Sequence, residues 1–154
     1  MSTFEVVAQT PLAPDQAWHA VTDWRRHGRH VPLTRVQVTR PTGGHGEEFT
    51  ASTALGPLRL DDAMRVTHWQ PPGPQRTGVC VIEKTGRGAR GGARIEVEAV
   101  GPGSRVRWRE EVSLGPVWFS RLTDPVAAVP GRAVFGRVVR GLLRDAEREA
   151  GLRA

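Results

Sequence analysis

Between positions 36 and 112, apolar side chains recur at every second residue, in short runs cut apart by glycine- and proline-rich breaks. Val36 and Val38 lead into the break PTGGHG at 41–46. Phe49, Ala51 and Thr53 alternate with polar neighbours until Gly56 and Pro57. Leu60, Asp62, Met64, Val66 and His68 then share one parity, against Arg59, Asp61, Arg65 and Thr67 on the other. After QPPGP at 70–74 comes another strand candidate at 77–84, followed by GRGARGG at 86–92 as a turn. Ile95, Val97 and Ala99 oppose Arg94, Glu96 and Glu98. A tight turn at 101–104 leads to Val106, Trp108, Glu110 and Val112, set against Arg107, Arg109 and Glu111. A period of two places successive side chains on opposite faces of a strand. The pattern therefore predicts an antiparallel sheet with one face in water and the other covered.

The segments on either side of the sheet supply its cover. Residues 3–10 read as a first strand ended by Pro11. Pro14 suits the first turn of a helix, whose amides lack partners in any case, and Asp15 places negative charge at the positive end of its dipole. Ala17, Val21 and Trp24 recur at helical spacing with Trp18 beside them, while Gly28 and Pro32 prevent a long continuation. A helix followed by a short second helix or turn is expected over 14–31. Near the other end, Asp124 and Pro125 form a helix start signal, and Pro130 with Gly131 breaks or kinks the run. Phe135, Val138, Val139, Leu142, Leu143 and Ala146 then form an apolar stripe that excludes Arg137, Arg140, Arg144 and Arg148. The expectation is a single α+β domain over 1–154: a curved antiparallel sheet of six to seven strands around a long C-terminal helix, with two short helices after the first strand.

Several function classes recede on composition. No stretch approaches the roughly 20 apolar residues that span a bilayer, and the N-terminus lacks the features of a signal peptide, so a cytoplasmic location is expected. Cys80 is alone, which excludes an internal disulfide. The net charge of +6 raises nucleic acid as a partner. However, Lys84 is the only lysine, Asn and Tyr are absent, and the arginines are scattered, as in a chain written by a GC-rich genome. A solvated basic surface explains the charge better than a nucleic-acid site.

Particular residues carry a family resemblance. Pro14-x-x-x-Trp18, then Val21-Thr22-Asp23-Trp24 and Pro32, resembles the opening helix pair of bacterial polyketide cyclase/dehydrase-like proteins in the START-related helix-grip superfamily (SRPBCC). The 46–49 segment, Gly56-Pro57, and Asp62-x-Met64-x-Val66-x-x-Trp69-x-Pro71-Pro72 resemble the third and fourth strands of an actinobacterial subgroup. Trp108-x-Glu110 and the helix at Asp124 and Pro125 fit the same picture. The resemblance implies a cavity between sheet and last helix that holds a hydrophobic or aromatic small molecule, lipid- or polyketide-like. Trp24, Phe49, Met64, Trp108, Phe135 and Val139 are the ligand-binding candidates. Gly136 and Gly141 either leave volume beside the helix or let it pack closely on its neighbours.

Chemistry is less legible. Asp62 sits between Leu60 and Met64, and Glu110 between Trp108 and Val112, so both face inward if the alternation holds. A buried carboxyl gains basicity, which suits proton transfer near neutral pH. A one-residue bulge would turn either outward, and pairing or backbone hydrogen bonding is the plainer role. His68 shares the inward parity close to the 70–74 loop, where it would sit at the mouth and titrate near neutrality. Glu110, Asp62 and His68 are thus the catalytic candidates, although they form no evident acid–base set. His27 and His30 share a helical face but lack the third ligand that a metal site needs, and a polar rim suits them better. No cofactor is implied. Three functions stay open: a binding protein for a hydrophobic ligand, an aromatase/cyclase- or dehydratase-type enzyme, and a protein or nucleic-acid interaction module. The expected assembly is a monomer or homodimer.

Overall fold

The computed structural model describes residues 2–114 and 117–154, and their side chains apart from those of Leu55, Leu114 and 117–130. Strand β1 (Ser2–Thr10) is followed by helices α1 (Pro14–Thr22) and α2 (Trp24–His27). Six further strands follow: β2 (Thr34–Arg40), β3 (Glu48–Leu55), β4 (Leu58–Gln70), β5 (Gly78–Lys84), β6 (Ala89–Val100) and β7 (Gly103–Leu114). Helix α3 (Val117–Glu149) closes the chain. The seven strands form one sheet in the order β1-β7-β6-β5-β4-β3-β2, antiparallel throughout. Apart from β1, each strand pairs with its sequence neighbour, as short turns such as those at Gly56 (φ 59°) and Gly101 (φ 55°) require.

Helix α1 begins as expected, with Pro14 in its first turn, and the Gln16 carboxamide oxygen accepts a hydrogen bond from the Ala13 N–H at 3.1 Å. It buries Ala17, Trp18, Ala20 and Val21. The Trp18 ring meets Trp69 of β4 edge-on, with centroids 5.0 Å apart. Helix α3 packs on β1, β7 and α1, burying Val138, Val139, Leu142 and Leu143. Its C-terminal end is tied down where Thr10 Oγ1 donates to Glu147 Oε1 at 2.8 Å.

Two expectations need correction. The terminal helix starts at Val117, ahead of Asp124, and runs through Pro125 and Pro130. Proline removes one amide donor but keeps a helix-compatible φ, so a backbone can stay helical through it at a cost. The side chains of Trp118, Asp124 and Pro125 lie outside the described residues. The GRGARGG turn is shorter than expected, because β6 already begins at Ala89. Its glycines serve close strand approach: a Cβ on Gly92 would lie 2.3 Å from the Ile82 carbonyl oxygen. One on Gly91, whose φ is 114°, would lie 2.0 Å from that of Glu111.

Candidate functional site

The concave face of β2–β7, together with α2 and α3, encloses an apolar cavity of about 190 Å³. Thr22 Oγ1 donates back to the Trp18 carbonyl at 2.7 Å, and the chain leaves helical geometry at Asp23 (ψ 87°). It restarts as the single turn α2, which places Trp24 and His27 three residues apart on the cavity side. Trp24 stacks on Phe49 of β3 at 4.5 Å and 5°, and its Nε1–H donates to buried Glu47 Oε2 at 3.0 Å. Trp108 of β7 lies 5.8 Å from Phe135 of α3. The His27 ring sits between the two tryptophans, 5.4 Å from each. Its Nε2–H donates to the Val21 carbonyl at 2.9 Å, and burial pushes its pKa down to about 4, so the ring is neutral at physiological pH.

One wall of this aromatic box is ionic. Lys84, at the end of β5, reaches Asp62 Oδ2 of β4 and lies 3.5 Å from Glu110 Oε1 of β7. Small residues make this possible. Ala93 of β6, the register partner of Ile82 and of Glu110, puts only a methyl group on the wall across which Lys84 and Glu110 meet, and Gly92 beside it lets β5 approach closely and lines the same cavity. The Lys84 and Glu110 side chains are only 4% and 5% exposed, so neither charge is screened by water. Burial alone would lower the Lys84 pKa, but the Glu110 and Asp62 carboxylates outweigh it and hold the ammonium above its usual range. Burial raises the Glu110 pKa against the opposing pull of Lys84 and of the Trp108 indole. That indole Nε1–H donates to Glu110 Oε2 at 2.9 Å, which leaves Oε1 towards Lys84. Asp62 Oδ1 is buried with no hydrogen-bond partner among the described residues.

Five of the six expected ligand-binding residues, Trp24, Phe49, Met64, Trp108 and Phe135, line this cavity. Val139 does not: it is fully buried in the core, and Val138, about 100° away around the helix, faces the cavity instead. Asp62 and Glu110 face inward. His68 is exposed and outside the cavity. A register shift between Val66 and His68 inverts the parity of β4, turning Trp69 into the core and His68 outward. His30 is bound at the surface of α3, with Nε2 2.9 Å from Asp145 Oδ2. Gly141 serves close packing, since a Cβ there would lie 2.3 Å from His30 Nδ1. Among the described residues no three His, Cys, Asp or Glu side chains group as metal ligands.

Two site residues escaped the sequence reading. Lys84 carried a signal in its parity with Cys80 and Ile82 and in being the only lysine of the chain. His27 was expected at a polar rim; it lies in the cavity wall because α1 breaks at Asp23, which a continuous helical pattern does not reveal.

Residues 1–150 match the family described as "Polyketide cyclase / dehydrase and lipid transport". The chain belongs to this family. Among curated proteins no sequence matches it. Solved structures share the family fold at low identity. A protein of Thermus thermophilus superposes with a TM-score of 0.75 at 11% identity, covering 96% of this chain and 98% of that one. The STAR-related lipid transfer protein of Xanthomonas axonopodis gives 0.69 at 13% identity, covering 92% and 85%. The Zhui aromatase/cyclase from a Streptomyces species gives 0.65 at 12% identity, covering 96% and 94%. These likenesses establish the helix-grip architecture, in which the sheet curls about the terminal helix.

Proposed function

We propose that this protein binds a compact hydrophobic or aromatic small molecule in the cavity between sheet and α3. The observation that carries this reading is the wall itself, in which Trp24 stacked on Phe49 and Trp108 beside Phe135 face an apolar space. A cavity of about 190 Å³ compares with the ~150 Å³ that admits benzene, which favours a molecule of one or two rings. Membership in a family described by polyketides and lipids supports the same class of ligand. Native mass spectrometry of protein purified from its own host, with tryptophan-fluorescence titration by naphthalene and indane, tests it. Quenching that saturates, and that is lost in Met64→Trp, is the expected result. Absence of saturable binding of either ring overturns the reading.

An acid–base enzyme of the aromatase/cyclase or dehydratase type is the second reading. It is favoured by one observation: Asp62 and Glu110 meet in the cavity around a buried ammonium. Proton transfer on a bound carbonyl compound is the activity to assay.

A further inference from the structure

We propose that Lys84 and Glu110 form an enolising site, in which Lys84 binds the carbonyl oxygen of a compact aromatic ketone and Glu110 removes a proton from the adjacent carbon. The inference rests on the cavity reading above and names the chemistry within it.

The buried cluster supplies the two groups that enolisation needs and places them side by side. Lys84 Nζ is an ammonium donor inside an apolar box, 3.5 Å from Glu110 Oε1. In a ketone, the oxygen that gathers charge and the hydrogen that leaves are three bonds apart, so a donor and a base must be neighbours. The Trp108 indole holds Glu110 Oε2, leaving Oε1 as the basic atom on the Lys84 side. Asp62 acts as a positioning residue, since its contact with Nζ holds the amine protonated and in place. A protonated amine has no lone pair for imine formation, so oxygen binding is the role open to it. Stabilisation of developing negative charge by a fixed donor in a dry site is where such a group contributes most.

The step balances without a cofactor. Glu110, as carboxylate, takes the α-proton. The C–H electron pair becomes the C=C bond, and the carbonyl π pair moves to oxygen beside the Lys84 ammonium. Return of a solvent-derived proton from Glu110 regenerates the ketone. The raised pKa of Glu110 makes its ionised form a stronger base than an ordinary carboxylate.

The test uses 2-indanone as the probe and indane as its oxygen-free counterpart. Affinities come from tryptophan quenching, and α-proton loss is followed by NMR in heavy water. The wild-type protein should bind both and accelerate exchange of 2-indanone by about 10²-fold or more over buffer. Glu110→Gln, nearly isosteric, should bind 2-indanone as wild type does while exchange falls to the buffer rate. The paired change Lys84→Met with Asp62→Asn removes both charges without leaving Asp62 ionised and unpartnered. It should also abolish exchange and lower the affinity for 2-indanone to that for indane. Binding without accelerated exchange in the wild type, or exchange that survives Glu110→Gln, overturns the enolising site and leaves the cavity reading standing. Binding of neither probe overturns both.

Discussion

A buried charge is costly unless its neighbours answer it, and Lys84 shows how that constraint acts on a single side chain. Replacing it by methionine keeps the volume but takes the shared cation from buried Glu110 and from partly buried Asp62. Breaking a buried pair from one side costs about 3–5 kcal/mol. Lys84→Met should therefore lower the urea midpoint strongly, and adding Asp62→Asn should recover part of the loss. A paired variant no more stable than the single one would show that the charges are not coupled. His27 gives a pH signature. Its folded pKa of about 4 lies below the ordinary 6.5, so the unfolded chain binds the proton more readily. Its contribution is fully present above pH 6.5 and is lost as pH falls towards 4, amounting to up to about 3 kcal/mol. His27→Gln should flatten the fall in stability over that window. Cys80, fully buried in β5 with its thiol pushed up to about 12 by burial, should resist iodoacetamide until the protein unfolds.

At the scale of elements, alternation was legible wherever the ladder is regular and misleading wherever it is not. The parity of Asp62, Met64, Trp108 and Glu110 could be read from their neighbours because β3, β4 and β7 keep register around them. His68 was misplaced because a bulge is a backbone event with no obligatory residue type. Val139 was misplaced because a helical stripe fixes a face only to within a residue, and adjacent positions on α3 divide between core and cavity. The bulge carries its own prediction. Trp69 now packs on Trp18, so Trp69→Ala should cost about 3 kcal/mol or more. His68→Ala, on the exposed side, should stay within about 0.5 kcal/mol. Chemical denaturation of the two variants, adjacent along the backbone and opposite in effect, would establish the parity inversion. Equal effects would contradict it.

For the whole molecule, sheet, α1 and α3 share one apolar cluster from Val6 on β1 to Leu143 on α3, and the cavity is a gap within it. Whatever fills the gap adds contacts to the folded state alone. A ligand at about a hundred times its Kd stabilises by about 2.7 kcal/mol, and for a chain of this length each kcal/mol moves Tm by roughly 2–4 °C. Naphthalene or indane near solubility should therefore raise Tm by several degrees in a single transition. Met64→Trp supplies the contrast, because an indole placed in the cavity wall occupies the space the ligand needs. Overpacking of this kind costs about 1–3 kcal/mol when the surroundings must shift. Here a void is available to take the ring, so the variant should melt close to wild type and no longer respond to either hydrocarbon. A variant that is badly destabilised yet still shifts with naphthalene would mean that the probe binds elsewhere, and the cavity would lose its place as the binding site.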